Sequence, residues 1–296
     1  MTTTRALERS PAIVLVGAGA VSVQFGAALA TKLFGRVGPT GAATLRLVIA
    51  AFVLLGLMWG ARTVRPLARR VSRADRAVAT AFGLVLAAMN LSFYEAIARV
   101  PLGVAVTIEF SGPLALALIG SRRWSDGLWA LAAGGGVALL AAGAGRHLDP
   151  AGLALAMSAG TFWAGYILLS KETGRRFDSF DGLAWAMTAG GLALLPFGLF
   201  NAGTALFRPA VLGLGAIVAV LASVIPYSLE LLALRRVTPR AFGVMMSLDP
   251  AVATAAGFLV LGQHLTLQEW AALGLVVTAN VGNTLIGRPG ALGMVS

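Results

Sequence analysis

The sequence predicts an all-α integral membrane protein with ten transmembrane helices arranged as two inverted five-helix repeats. Three observations support this prediction. The 296-residue chain is 58% hydrophobic and only 12% charged, whereas a soluble domain carries about 25% charged residues. Apolar stretches long enough to cross a bilayer follow one another along the chain. A motif of the first half also returns in the second half at a constant distance.

Each predicted span is close to the length of about 20 residues that a helix needs to cross the hydrocarbon core. Proline disfavours helix in the residue before it, so we place turns at Arg99–Pro101 and Arg235–Pro239. Gln24-Phe-Gly26 in the first span resembles Trp163-Ala-Gly165 in the sixth, which supports a mature first helix. The predicted spans are residues 12–34, 39–60, 77–98, 101–120, 127–145, 152–170, 183–201, 211–234, 240–261 and 268–286.

The orientation in the membrane follows from the basic residues between the spans. If the N-terminus is cytoplasmic, seventeen Lys and Arg residues fall in inner segments and five in outer segments. Cytoplasmic segments of membrane proteins carry such an excess of basic residues. We therefore expect both termini in the cytoplasm.

The internal repeat is visible at a shift of 137 residues, which aligns Arg99-Val100 with Arg236-Val237 and Pro113 with Pro250. Five spans separate each element from its copy, and because five is odd the two copies cross the membrane in opposite directions. Inverted repeats of this kind recur in secondary transporters, whose binding sites lie near the midplane between the halves. The predicted repeats are residues 10–146 and 147–290.

Five ionisable residues fall inside predicted spans, where a charge at the helix centre costs about 2.5–3.5 kcal/mol and is usually functional or paired. Glu109 and Asp249 are near the middle of their spans, and a proline follows each closely. Both are candidates for substrate binding or proton coupling, and the alternative is a structural carboxylate bonded to neighbouring helices. Glu95 and Glu230 lie nearer to span ends, where they can be solvated.

The fifth ionisable residue, Arg46, lies in the outer third of the second span at a depth similar to that of Glu95. An ion pair between these two residues is the alternative to substrate binding by Arg46. The spacing Gly56…Gly60 predicts close helix packing. Six further residues are candidate pocket residues, although such side chains often hydrogen-bond between helices: Gln24, Asn90, Tyr94, Ser111, Trp163 and Tyr227.

Other functional classes lack their motifs. The chain has no cysteine, which excludes disulfides and thiolate chemistry, and His147 and His264 fall in predicted loops without ligand partners, so we predict no metal site. No GxxxxGK[ST], HExxH or GxSxG motif is present, so we expect neither ATP hydrolysis nor another enzyme activity, and no cofactor. The basic residues are dispersed between apolar runs, which argues against nucleic-acid binding.

The chain resembles the EamA-repeat branch of the drug/metabolite transporter superfamily, and within it the bacterial inner-membrane threonine/homoserine exporters. The resemblance spans nearly the whole sequence. It departs from the family at Glu95, Asp249 and Gln263, where an apolar residue, a glutamate and an acid are usual. The motifs that carry it are Gly38-Pro39, Leu45-Arg46-Leu47, Met89-Asn90, Phe93-Tyr94, Val100–Val106, Glu109–Leu114, Ser121–Arg123, Ile225–Glu230, Arg240–Gly243 and Met246–Pro250.

The resemblance implies export of small amino acids across the bacterial inner membrane, in exchange for protons and by alternating access. A zwitterionic amino acid needs an anion for its ammonium group, which Glu109 or Asp249 would provide, and donors for its carboxylate, from Arg46 or a broken helix end. A carboxylate removed from water can bind a proton or an ammonium group, and this mutual exclusion would give antiport.

Three alternative functions stay open at this point. On the same fold, the protein would export other small metabolites or cationic drugs. An intramembrane or lipid-modifying enzyme would need paired catalytic groups at one interface, and a structural scaffold would give no reason for acids near the midplane. The partners we expect are an amino acid, a proton and the lipid bilayer, while the sequence leaves the oligomeric state open.

Overall fold

The computed structural model describes residues 11–62, 71–118, 149–177, 180–238, 249–264 and 266–286, with isolated positions between 128 and 139 and between 242 and 246. Every secondary-structure element in this part of the chain is a helix, and these residues form no strand. The predicted all-α class is therefore confirmed for them. Most of the predicted span 127–145 lies outside the described residues, as do His147 and most of the basic inner segments.

Most of the described helices follow the predicted spans to within six residues. A 3₁₀ helix at Gly203–Phe207 precedes the α-helix that begins at Pro209, and a π-helical turn at Val220–Val224 precedes the α-helix that begins at Ile225. The α-helices are α1 (Ala12–Arg62), α2 (Arg73–Ile97), α3 (Leu102–Glu109), α4 (Ser111–Leu118), α5 (Pro150–Arg176), α6 (Asp181–Ala202), α7 (Pro209–Ala219), α8 (Ile225–Leu234), α9 (Asp249–Leu261) and α10 (Leu267–Ile286).

Five helical segments of the described chain are long and apolar enough to cross a membrane. The first, Ala12–Trp59, has 48 residues, which at 1.5 Å per residue is about 72 Å, more than twice the thickness of the hydrocarbon core. It divides at Gly38, whose backbone is non-helical (φ 68°, ψ 169°), and Pro39 begins the second arm. This break separates the predicted first and second spans. The other four segments are Arg73–Ile97, Pro150–Arg176, Asp181–Phe207 and Pro209–Leu234.

Helices α2 and α5 pack along their length in antiparallel directions. Ser72 and Asp75 form a capping box that begins α2, a reciprocal pair of hydrogen bonds that satisfies free N–H groups of the first turn. Oδ1 of Asp75 also lies 3.3 Å from Nη1 of Arg176, at the end of α5. At the opposite ends of the two helices, Nε of Arg99 lies 3.7 Å from Oδ2 of Asp149, the N-cap residue of α5. These ion pairs connect the two predicted halves of the chain.

Close backbone approaches occur at other glycines than the predicted pair. A Cβ atom built on Gly56 would meet no heavy atom within 4 Å, so the prediction of close packing is wrong for this residue. A Cβ on Gly83 would instead overlap the carbonyl oxygen of Ala186, and one on Gly112 would overlap that of Gly160. The GxxxG spacing identifies one face of a helix, but it does not say whether that face meets another helix or the exterior.

Large apolar side chains cover the outside of the bundle. Phe52, Trp59 and Phe200 are 71%, 76% and 91% exposed. Soluble monomers rarely expose such continuous apolar surface, whereas a surface in contact with lipid requires it. The charged residues that lie in the interior are therefore enclosed by protein, which in turn is enclosed by an apolar exterior.

Candidate functional site

The candidate site is organised by a break in the segment Pro209–Leu234, which we call the broken helix. Helix α7 ends at Ala219, the π turn follows, and Pro226 is the second residue of α8. Because proline has no N–H group, the carbonyl four residues before it, at Ala222, loses its α-helical partner. The carbonyl five residues before it, at Leu221, likewise loses its partner in π-helical register.

Both carbonyls accept hydrogen bonds from side chains of α1. The Ser22 hydroxyl donates to the Leu221 oxygen at 2.6 Å, and Nη2 of Arg46 donates to the Ala222 oxygen. Buried backbone carbonyls in a membrane must find such partners, since the hydrocarbon core holds no water to replace them. The two arms of α1 thus satisfy the carbonyl groups that the proline leaves free.

Arg46 is 2% exposed and is oriented by the broken helix. Its Nε donates to Ser223 Oγ at 2.8 Å, and its Nη2 donates to the Tyr227 hydroxyl at 2.9 Å. The guanidinium carbon lies 5.3 Å from the ring centroid of Tyr94 and 5.6 Å from that of Tyr227, distances at which cation–π attraction is effective. The guanidinium also interacts electrostatically with the Tyr94 hydroxyl.

The ion pair between Arg46 and Glu95, the alternative to substrate binding by Arg46, does not form. Glu95 instead lies 2.7 Å from Nη1 of Arg99, four residues later on the same helix face, and accepts a hydrogen bond from Thr40 at 2.8 Å. Depth along a helix can be estimated from sequence, but the direction in which a side chain points around the helix axis cannot. Arg46 points toward the broken helix, whereas Glu95 points toward the outer end of α2.

Asn90 and Tyr227 connect the two predicted halves at the centre of the site. Nδ2 of Asn90 donates to the Tyr227 hydroxyl at 3.0 Å, and the two residues are 137 positions apart. Both are buried, at 1% and 3% exposure. The separation equals the shift of the sequence repeat, so each residue contacts its own counterpart. Such a contact is expected only close to an axis that relates the two halves.

Glu230 is buried and hydrogen-bonded, so the alternative that it is solvated at the end of its span is wrong. It is 2% exposed and accepts a hydrogen bond from the Tyr166 hydroxyl at 2.6 Å. A Cβ atom on Gly19 would lie 3.7 Å from Cγ and Oε1 of Glu230, so α1 covers this carboxylate. Its position near the end of α8 suggested access to water, but α1 and α5 pack over it.

Tyr166 is a site residue that sequence reasoning missed. Its ring centroid is 5.4 Å from that of Tyr227 and 5.5 Å from that of Phe82. The available signal was its position three residues after Trp163, because residues three apart lie on the same face of a helix. Ser22 and Ser223 were also missed, since nothing in their local sequence distinguishes them from other helical serines.

Glu109 and Asp249 belong to the same buried cluster. Glu109 ends α3, is 7% exposed and interacts electrostatically with Asp249 and Arg46. No described residue donates a hydrogen bond to Glu109 or lies within ion-pairing distance of it. Asp249 begins α9, is 1% exposed, and its Oδ1 has no hydrogen-bond partner among the described residues. Gln24 and Glu230 lie near Asp249.

Two further predicted residues lie at the edge of this arrangement. Trp163 packs its ring edge-on against Phe110, the residue that separates α3 from α4, with centroids 5.9 Å apart. Ser111 donates to the Met157 sulfur at 3.4 Å, and no described contact joins it to the charged residues. Ser111 thus belongs to the packing of α4 against α5.

The cluster places one buried cation among three buried carboxylates: Glu109, Glu230 and Asp249. Arg46 interacts electrostatically with Glu109 and Glu230 but forms an ion pair with neither. The described residues contain no group of three or more His, Cys, Asp or Glu side chains that could hold a metal ion. A molecule that carries both a carboxylate and an ammonium group matches the charges that the site leaves unpaired.

Comparisons with known proteins agree with this chemistry. The model of the EamA-like transporter family matches residues 150–285. The threonine/homoserine exporter RhtA of Escherichia coli (strain K12) is 39% identical over 280 residues, covering 94% of this chain and 92% of that protein. RhtA of Salmonella typhimurium (strain LT2) is 40% identical over 266 residues, covering 89% and 88%.

A solved structure described as "Crystal structure of protein" has a similar fold. It superposes with a TM-score of 0.63 at 22% sequence identity, and the match covers 94% of this chain and 97% of that one. At this identity the similarity concerns the fold alone.

Proposed function

The chain belongs to the EamA-like transporter family, and from this premise we propose that it is a secondary transporter exporting small amino acids of the threonine or homoserine kind. Transport proceeds by alternating access across the bacterial inner membrane, in exchange for protons. The N- and C-termini lie in the cytoplasm, as the distribution of basic residues favours. The substrate, the proton and the bilayer are the partners.

One observation carries the proposal: Arg46 and Glu109 are buried in one cluster and interact electrostatically, but no ion pair joins them, and no described residue donates a hydrogen bond to the Glu109 carboxylate. Buried charges of this kind are costly unless a partner compensates them. An α-amino acid supplies both partners, with its carboxylate on Arg46 and its ammonium group on Glu109. An uncharged metabolite would satisfy neither.

The proposed architecture has ten spans in two inverted repeats, residues 10–146 and 147–290. The contact between Asn90 and Tyr227 supports it, because aligned residues of two related units touch only near their common axis. The helices that carry these residues support it as well, since α2 begins at Arg73 and the broken helix begins at Pro209, a difference close to the repeat shift. The site then lies between the repeats, as in other secondary transporters.

Proton exchange follows from competition for the same carboxylates. Glu109 interacts electrostatically with Asp249, and Asp249 in turn with Glu230. A carboxylate oxygen that holds a proton cannot at the same time accept a hydrogen bond from an ammonium group at that lone pair. Arrival of a proton therefore displaces the substrate, and arrival of the substrate displaces the proton.

A second candidate is the export of cationic drugs or other small metabolites on the same fold. The excess of three buried carboxylates over one buried cation favours it, together with the tyrosine rings that surround Arg46. Aromatic rings and carboxylates together form sites for organic cations. This candidate predicts that substrates without a carboxylate are transported.

Transport in proteoliposomes with an imposed pH gradient separates the two candidates. The panel is threonine, homoserine, an aromatic amino acid and a cationic dye. We expect uphill movement of threonine and homoserine, and we expect Glu109→Gln to lower their gradient-driven transport by more than about tenfold, because general acid–base and charge partners at such sites contribute at least this much. Glu172→Gln, a neutralisation at a partly exposed carboxylate of α5, is the matched control and should change the rate less than about twofold.

Two results would contradict the proposal. Uphill movement of the dye alone would favour drug export over amino-acid export. Gradient-driven export that survives in the Glu109→Gln variant would show that Glu109 is not the sole coupling group, and the same assay on Asp249→Asn and Glu230→Gln would then identify which carboxylate is.

A further inference from the structure

Among the described residues, side chains of α1 bind the backbone at the break in the broken helix. Ser22, on the first arm of α1, donates to the Leu221 carbonyl, and Arg46, on the second arm, donates to the Ala222 carbonyl. Gly26 lies directly against the same turn, because a Cβ atom there would be 2.8 Å from the Ala222 nitrogen. The backbone at the break is therefore attached to α1 by two hydrogen bonds and a close contact.

We propose that the broken helix bends at Pro226 during transport, and that Ser22 is a positioning residue for this movement, holding the Leu221 carbonyl while Arg46 holds that of Ala222. The movement rests on the proposed function in one respect, that a transport cycle exists to drive it. Its geometry, however, depends only on the contacts of the break. The Ser22 hydroxyl donates its proton to Leu221, so it cannot at the same time donate a hydrogen bond to a substrate carboxylate.

The proline makes the bend possible. A helix resists bending through its i→i−4 hydrogen bonds, and sharp kinks occur where proline or a π turn interrupts them. Here both interruptions coincide within Val220–Pro226. The bonds from Ser22 and Arg46 replace those that are missing, so the angle of the helix is set by side chains of α1 rather than by its own backbone.

Arg46 gives the bend a connection to the substrate. Its Nη2 donates to both the Ala222 carbonyl and the Tyr227 hydroxyl. A carboxylate binds guanidinium most strongly in a two-pronged geometry that engages two nitrogens. A substrate carboxylate that engages Nη2 therefore competes with Ala222 or Tyr227 for this nitrogen, while the Ser22 bond to Leu221 is unaffected.

The absence of cysteine from the chain allows a direct test. Spin labels on Leu212→Cys in α7 and Thr238→Cys, four residues after the end of α8, report the distance across the break. We expect two distance populations in the otherwise unchanged protein. Pro226→Ala restores an N–H group and should leave one population at the longer distance. Ser22→Ala should enlarge the shorter one, and Ser22→Thr, which keeps the hydroxyl, should restore the original distribution.

Transport kinetics provide the second readout. If bending limits turnover, Pro226→Ala and Ser22→Ala should lower the maximal export rate about tenfold, while KM changes less than about twofold. Pro196→Ala, an exposed proline within α6, and Ser158→Ala, whose hydroxyl bonds only to its own helix, are the matched controls. Both should leave the distances and the rate unchanged.

The outcomes separate the proposed bending at Pro226, which we call the pivot, from the proposed function. Identical distance distributions in the parent protein and in Pro226→Ala would overturn the pivot, as would a Ser22→Ala variant that is indistinguishable from the parent. Loss of the shorter population in Pro226→Ala, in a protein that moves none of the amino acids, would support the pivot and overturn amino-acid export.

Discussion

Helix α2 and the broken helix occupy equivalent places in the proposed repeat, yet only one of them is continuous. A shift of 137 residues aligns Arg73–Ile97 with residues 210–234 and places Met89 on Pro226. Helix α2 has 25 residues in one α-helix, whereas its counterpart consists of α7, a π turn and α8. The break in the second helix lies at the position where it has Pro226 and α2 has Met89.

The difference explains where the functional groups gather. Helix α2 is continuous, so no proline frees a carbonyl within it, and its buried Asn90 donates to the Leu86 carbonyl and to Tyr227. The broken helix has two carbonyls to satisfy and draws Ser22 and Arg46 toward them. The buried cation of the site is thus positioned by the irregular copy, while the regular copy packs against α5 as a scaffold.

The largest expected effect comes from giving α2 the proline of its counterpart. Met89→Pro removes a buried N–H donor and frees the carbonyl of Val85, with no arginine placed to bind it, and a proline inside a helix costs about 3 kcal/mol or more. We expect little or no folded protein in detergent extracts, measured by thermal unfolding. The reverse exchange, Pro226→Met, is the control and should leave a folded protein. A Met89→Pro variant as stable as its parent would show that the two copies differ for another reason.

Arg46→Lys tests the donor that only the broken helix uses. Lysine keeps the positive charge but lacks the planar fork that reaches Ser223, Ala222 and a substrate together. Loss of one hydrogen bond to a charged group, about 2 kcal/mol, corresponds to about a thirtyfold lower rate of threonine export. Arg99→Lys makes the same change at the outer end of α2 and should alter the rate less than about twofold. Equal effects at both sites would exclude a special role for Arg46.

The smallest expected effect concerns the contact that joins the two copies. Asn90→Ala and Tyr227→Phe each remove one side of their hydrogen bond, so a double-mutant cycle should return a coupling of about 1 kcal/mol in the free energy of unfolding. Asn201→Ala, which removes an amide bonded to its own helix in α6, should combine additively with Tyr227→Phe. If the effects of Asn90→Ala and Tyr227→Phe on the free energy of unfolding were also additive, the hydrogen bond between Asn90 and Tyr227 would contribute nothing to joining the halves.

Much of the fold was predictable because it follows from local sequence. The apolar spans, the break at Gly38 and the buried position of Glu109 and Asp249 all agree with the structure. The site was predictable as a list of polar residues, but its pairings were not. Arg46 bonds to the broken helix instead of Glu95, and Glu230 is covered by other helices instead of solvated. Tyr166, which sequence reasoning did not identify as a site residue, donates a hydrogen bond to Glu230.

The sequence by itself determined that this chain is helical and apolar, because composition and span length are properties of neighbouring residues, and it showed that motifs of the first half return in the second at a constant shift. Only the tertiary structure decided what the proline of one copy would do. The Ala222 carbonyl that it releases is bound by an arginine 176 positions away. Whether two such groups meet depends on how each helix is rotated about its axis, and that rotation is set by the packing of all the helices together.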